Sequence, residues 1–164
     1  MNAVTGEVLY AKNTNQAVPI ASITKLMTAM VVLDAKLPLD EAITISDEDV
    51  DRLRNTSSRL SVGTVLSRAE LMLLALMSSE NRAAHALART YPGGVNAAVA
   101  AMNRKAAALG MSQSHFEDGT GLTSANVATP RDLVTMVKTA STYPLIRRFS
   151  TTGAHAVAIK DSIQ

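Results

Sequence analysis

Four residues in two short motifs carry most of the chemistry this sequence offers. Ser22-Ile23-Thr24-Lys25 sets a hydroxyl and an amine three residues apart. On a helix, residues at that spacing share a face, so the Lys25 amine can reach the Ser22 hydroxyl. An unassisted serine is a poor nucleophile and needs an adjacent base. A lysine becomes such a base when burial and nearby cations lower its proton affinity. A helix N-terminus at the same place points amide donors towards developing negative charge. These are the parts of an acyl-transfer site. Taken alone, Ser-x-x-Lys also arises by chance in chains of this length, as a helix start with a solvated lysine.

Ser79-Glu80-Asn81 is the second motif, and it interrupts two apolar helical segments. Such a break presents polar side chains at an inner surface. There a hydroxyl can relay a proton, and an asparagine amide can hold both a lysine and a substrate carbonyl. The plainer reading is a helix-to-helix turn with a capping serine. Ser124-Ala125-Asn126 repeats the pattern in a polar loop without apolar flanks and reads as a turn. Glu80 either tunes the site or is a surface carboxylate. His85, among Ala83, Ala84 and Ala86, reads as a packed or surface histidine, and His115 and His155 stand too far apart in sequence to suggest a metal pair.

The elements that must position these groups follow from the pattern along the chain. Val4-Thr5-Gly6-Glu7 reads as a tight turn into a strand, Val8-Leu9-Tyr10-Ala11. Ile23, Leu26, Met27, Met30, Val31 and Leu33 are spaced as one helix face, with Ser22 as the N-terminal capping residue. Residues 42–46 alternate as a short strand. Ser67-Arg68-Ala69-Glu70 is a capping box opening an apolar helix through Met77. Further helices are expected over residues 82–89 and 95–109, the latter ending at Gly110. Residues 111–128 form a polar loop around Asp118-Gly119-Thr120-Gly121-Leu122, read as a structural turn. Thr129-Pro130 starts another helix, Pro144 a short one, and His155-Ala156-Val157-Ala158-Ile159 begins a strand.

At 164 residues, 47% hydrophobic and 18% charged, the chain is expected to be a single globular domain over residues 1–164 of α/β or α+β class. It is too apolar to be disordered. Its longest apolar run, residues 71–77, is far short of the roughly 18 residues of a membrane span. Sixteen basic and fourteen acidic side chains are interspersed, and no Trp is present, so no nucleic-acid partner is expected. The absence of Cys excludes disulfides and thiolate metal sites. No signal peptide is visible at the N-terminus.

Taken together and in order, the motifs resemble the low-molecular-mass penicillin-binding proteins, the D-alanyl-D-alanine carboxypeptidase and endopeptidase family. The resemblance rests on residues 5–13, on Pro19-Ile20-Ala21-Ser22-Ile23-Thr24-Lys25-Leu26-Met27-Thr28, on Ser78-Ser79-Glu80-Asn81 and on Phe116-Glu117-Asp118-Gly119-Thr120-Gly121-Leu122. Ser-Ser-Glu-Asn and Met102-Asn103-Arg104-Lys105 look most like the endopeptidase branch typified by penicillin-binding protein 7. The family pairs such motifs with a third, Lys-Thr-Gly on a strand.

The resemblance implies a β-lactamase/transpeptidase-like fold, an antiparallel sheet flanked by an all-helical region. It implies Ser22 as the acylated nucleophile and Lys25 as its general base. Ser79 would pass the proton to the leaving group, and Asn81 would orient Lys25 and bind the substrate's peptide carbonyl. Arg59 falls in a segment that approaches the site in the family and becomes a candidate substrate contact. Peptidoglycan peptides and β-lactams are the implied partners, the periplasm the implied location, and no metal or organic cofactor is implied. Lys138-Thr139-Ala140 is a near match to the third motif, but it lies within the helix opened by Pro130 and reads as a solvated lysine. The Lys-Thr-Gly strand and the last sheet strands are therefore expected beyond Gln164, and a companion chain or self-association could cover the gap. Two alternatives remain: a non-catalytic peptidoglycan- or partner-binding module, and a β-lactamase, whose Ser-Asp-Asn form is absent here.

Overall fold

The computed structural model describes residues 1–2 and 4–157. Strand β1 (Val18–Pro19) leads through a 3-10 turn, Ala21–Ile23, into helix α1 (Thr24–Asp34). Strand β2 (Ala42–Thr44), a second 3-10 turn (Asp47–Asp49) and strand β3 (Val65–Ser67) precede helices α2 (Arg68–Met77), α3 (Asn81–Arg89) and α4 (Gly94–Ala108). Strand β4 (Val127–Ala128) and helices α5 (Pro130–Ala140) and α6 (Pro144–Ser150) follow.

Helix α1 is the axis of the molecule. Helices α2 to α6 all pack against it. Its spacing suggested one buried face, but Met27, Ala29, Met30, Val31 and Val32 are all buried, so nearly its whole circumference is inside. A helix surrounded on all sides can be apolar all round. Met72, Met102, Met111 and Met136 are fully buried in the same core as its side chains. The unbranched thioether chain suits irregular gaps.

The helix starts follow from their residues. Ser67 Oγ accepts the Glu70 N–H at 3.2 Å, and the Glu70 carboxylate takes the Ser67 N–H at 2.8 Å, the reciprocal pairing of a capping box. Thr129 caps α5 by accepting the Asp132 N–H at 3.1 Å, with Pro130 at the first helical position. Arg68, 1% exposed, donates to the Pro38 carbonyl, to Thr90 Oγ1 and to Glu41. It thereby ties the start of α2 to the α1–β2 connection and to the end of α3.

The sheet component is small. Among the described residues it consists of two antiparallel pairs. In one, β1 and β4 set Val18 opposite Ala128; in the other, β2 and β3 set Ile43 opposite Leu66. Strand β3 carries no signal that separates it from the capping box it runs into. The strand expected at Val8-Leu9-Tyr10-Ala11 does not form: these residues have no regular structure, and Val8, Leu9 and Tyr10 are largely exposed. An extended segment becomes a strand only when a neighbour takes its N–H and C=O groups, and no strand lies beside this one among the described residues. His155, Ala156 and Val157 likewise have no regular structure, while Ala158 and Ile159 lie outside the described residues. No helix among the described residues is long and apolar enough to cross a membrane.

Candidate active site

Ser22 lies in the 3-10 turn before α1, and its hydroxyl makes no capping bond to that helix, contrary to the capping role its position suggested. The preceding Ala21 has φ +46°, a conformation that L-residues rarely adopt. The turn instead aims the Ser22 side chain outwards, and Lys25, one turn later, reaches back with its Nζ 3.0 Å from Ser22 Oγ.

The break between α2 and α3 supplies the opposite wall. Ser78 closes α2 by bonding the Leu74 carbonyl, and Ser79 adopts φ +58°, which reverses the chain. Ser79 Oγ then donates to Ser22 Oγ at 2.8 Å. Glu80 caps α3 by accepting the Arg82 N–H and also accepts the Ser58 hydroxyl at 2.8 Å, so it is tied down rather than free at the surface. Asn81, the first residue of α3, accepts from Lys25 Nζ through Oδ1 at 2.8 Å. An ammonium only donates, so the amide oxygen must be the atom that faces it.

A third wall comes from the loop before β4. Lys25 Nζ gives its remaining hydrogen bond to the carbonyl of Thr120 at 2.8 Å. Residue types could not announce this contact, because it is made by backbone. The Asp118 carboxylate holds the turn, accepting the N–H groups of Thr120 and Gly121 and the Thr120 hydroxyl. Asn126 is fully buried. It accepts from the Glu117 and Asp118 N–H groups and donates to the Asp118 carboxylate and to Thr24 Oγ1 on α1. Thr28, one turn beyond Thr24, donates to the Gly119 carbonyl at 2.7 Å. Ser124-Ala125-Asn126, read from sequence as a bare turn, therefore contains the buried clamp of this wall.

Lys25 is 3% exposed, and burial lowers its pKa from 10.5 to about 8 against the opposing pull of the Asp118 and Glu80 carboxylates. A pocket of about 250 Å³, lined by Ser22, Lys25, Leu26, Ala75, Ser79 and Ser150 among others, opens over the serine pair. The arrangement can take a proton from Ser22 and pass one on through Ser79.

Ser22, Lys25, Ser79 and Asn81 are thus brought together from two separate stretches of sequence, 22–25 and 79–81. Arg59 is not among them. It is exposed and lines a neighbouring groove with Ser57, Glu80 and His155, between Ser58, which bonds Glu80, and Leu60, whose carbonyl takes an Arg82 N–H. Lys138 is exposed on α5, in keeping with a solvated helix lysine. His85 is neither free nor simply packed: its Nδ1 lies 2.8 Å from the buried Asp49 carboxylate, which also accepts from Arg89 Nε and Nη2.

Over residues 1–164 the chain matches the family described as D-alanyl-D-alanine carboxypeptidase. It is 54% identical over 156 residues to a D-alanyl-D-alanine endopeptidase of Pseudomonas aeruginosa, covering 95% of this chain and 50% of that one. It is 49% identical over 148 residues to the D-alanyl-D-alanine endopeptidase of Escherichia coli, covering 90% of this chain and 48% of that one. The chain spans about half the length of these relatives. Among solved structures, the DD-transpeptidase of Streptomyces K15 superposes with a TM-score of 0.83 at 34% identity, covering 91% of this chain and 61% of that one. The mixed helix-and-sheet architecture is accordingly that of the β-lactamase/transpeptidase-like fold.

Proposed function

The chain belongs to the D-alanyl-D-alanine carboxypeptidase family, and from that premise we propose that it is a serine-type D-alanyl-D-alanine peptidase acting on peptidoglycan peptides through an acyl-enzyme on Ser22. The observation that carries this reading is the position of Ser22 Oγ, 3.0 Å from Lys25 Nζ and 2.8 Å from Ser79 Oγ. Neutral Lys25 takes the Ser22 proton as Oγ bonds to the D-alanyl carbonyl carbon. In this reading the Ser22 backbone N–H donates to the resulting oxyanion. Collapse breaks the C–N bond, and the proton held by Lys25 is relayed through the Ser79 hydroxyl to the departing amine nitrogen, which leaves Lys25 neutral and Ser79 protonated again. Asn81 keeps Lys25 in place and offers its amide to the substrate's peptide carbonyl. Water then cleaves the ester, releasing the acid and restoring the Ser22 proton. A β-lactam enters by the same first step because its strained amide mimics the scissile bond.

The names of the two relatives favour the endopeptidase form, cleavage of a cross-link, over removal of a terminal D-alanine. A peptidoglycan substrate supports a periplasmic location, and we read the 164 residues as one unit of the catalytic domain. Lys-Thr-Gly does not occur in the sequence. A companion chain or second copy would cover the place of the missing sheet strands, and sedimentation at several concentrations would detect it. The main test is intact-mass spectrometry after incubation with a penicillin. One adduct, absent from Ser22→Ala, is the expected result. A folded chain that stays unmodified overturns the acyl-transfer reading and favours a non-catalytic binding module.

A further inference from the structure

Lys25 has three hydrogen-bonding neighbours, and they are not equivalent. The Thr120 carbonyl can only accept, and so can Asn81 as long as its oxygen faces the lysine. Once Lys25 is neutral it keeps two N–H groups and one lone pair. If both N–H groups are taken by those two oxygens, the lone pair has only the Ser22 hydroxyl left to meet. If the Asn81 amide were reversed, its NH2 group would donate into that lone pair and compete with Ser22.

The amide is held against reversal from behind. Asn81 Nδ2 donates to Thr56 Oγ1 at 3.0 Å, and Thr56 Oγ1 in turn donates to Asp51 Oδ2 at 2.7 Å. A hydroxyl has one proton, and a carboxylate has none to give. Thr56 therefore commits its proton to Asp51 and shows Asn81 only lone pairs, which an amide oxygen could not face. Asp51 is anchored in turn by the N–H groups of Leu53, Arg54 and Thr56. Burial opposes its ionisation, but these bonds and the Thr56 hydroxyl hold its pKa down at about 2. It is thus a carboxylate at any working pH. The chain of bonds runs from a surface loop to the lysine, with every donor direction determined.

We infer that Thr56, backed by Asp51, is a positioning residue: it fixes the orientation of the Asn81 amide so that the lone pair of neutral Lys25 is directed at Ser22. The inference rests on the acyl-transfer reading of Ser22 and Lys25 and names residues outside both motifs. The charged groups facing Lys25 are Asp118, from the loop before β4, and Glu80, from the α2–α3 break. Neither contacts Thr56 among the hydrogen bonds that hold this chain.

The test compares the chain with Thr56→Val, Thr56→Ser and Asp51→Asn by two readouts. The first is the titration of Lys25, followed through the 13Cε resonance of lysine-labelled protein and assigned with Lys25→Arg. Thr56→Val lets the amide reverse, which favours the neutral amine, so the Lys25 midpoint falls by about one pH unit. Thr56→Ser keeps the wild-type midpoint, and Asp51→Asn shifts it in the same direction as valine. The second readout is the rate of penicillin acylation above the Lys25 midpoint, where it falls about tenfold in Thr56→Val and is restored in Thr56→Ser. A role confined to loop stability would leave the Lys25 titration unmoved in folded protein. An unchanged midpoint in both Thr56→Val and Asp51→Asn overturns the inference, as does failure of serine to rescue. An adduct on the wild-type chain with no effect of Thr56→Val sinks the inference alone. No adduct together with the expected Lys25 shift sinks the acyl-transfer reading and leaves the positioning role standing.

Discussion

Gly121 and Ala21 touch so closely that a Cβ on the glycine would stand 1.9 Å from the Ala21 carbonyl oxygen and 3.0 Å from the Ser22 nitrogen. The third wall of the site is therefore pressed directly against the backbone that carries the serine. Gly121 also has φ +84°, where a side chain is strained even in open space.

Replacing Gly121 with alanine must move either the loop or the Ser22 turn. The expected result is a loss of penicillin acylation of about 10²-fold, the scale of an ångström-level misplacement, and a stability loss of about 1–3 kcal/mol. Gly153→Ala, where a Cβ meets nothing within 4 Å, serves as the control. Acylation kinetics and urea denaturation of the two variants side by side would check this. Equal rates would mean the contact between loop and turn is not rigid.

The acylation rate of the chain is expected to rise with pH through a midpoint near 8, because only neutral Lys25 can take the serine proton. Asp118 and Glu80 both raise this midpoint against burial. Asp118→Asn keeps an oxygen to hold the turn but removes the charge, so the rise moves to lower pH. The same lysine affects stability. Its folded pKa lies below the unfolded 10.5, so between about 8 and 10.5 the unfolded chain binds more protons and its contribution makes stability increase with pH. Stopped-flow acylation across pH 6–10 tests the first point; a midpoint unmoved in Asp118→Asn would contradict it.

Asp49 joins the second 3-10 turn to α3 through His85 and Arg89 and is itself fully buried. Burial pushes its pKa up, but the His85 and Arg89 bonds and the Ser46 N–H outweigh it and hold the group well below the ordinary 3.8. Its contribution to stability is thus fully present above 3.8 and is lost as the pH falls towards its folded value. Asp49→Asn is expected to cost about 2–3 kcal/mol at neutral pH, the scale of hydrogen bonds to charged groups. It should also flatten the loss of stability between pH 4 and pH 2. Guanidinium denaturation at both ends of that range measures the difference.

Neither short motif identified the candidate site alone; the two together and in order did. Ser22 and Lys25 offered a helical spacing and Ser79 and Asn81 a break in an apolar run, and the pair carried weight that neither motif had by itself. Helix starts at Ser67 and Thr129 were plain, since a cap is a local device whose partners lie three residues away. What sequence could not give was anything made by backbone or closed over distance. The Thr120 carbonyl has no residue-type signature, and Asn126 acquires its role only when α1 arrives 102 positions away in sequence. The same holds for Asp49 and His85, 36 residues apart, and for Thr56 and Asn81, 25 apart. The strand expected at residues 8–11 failed for a related reason, because a strand is a property of two segments and alternation is visible in one.

Thr24, Lys25 and Thr28 each fasten α1 to the loop carrying Asp118, Gly119, Thr120 and Asn126. The cleft therefore has one bolted jaw and one hung jaw. Motion of α1 against that loop would sacrifice three interior bonds at once. Motion of the α2–α3 break sacrifices the exposed Ser79–Ser22 bond first. Opening of the cleft is accordingly expected on the Ser79 side, on the microsecond-to-millisecond scale of loop and element displacements. Amide hydrogens of residues 24–28 and 118–121 would exchange slowly and together, while those around Ser79 exchange early.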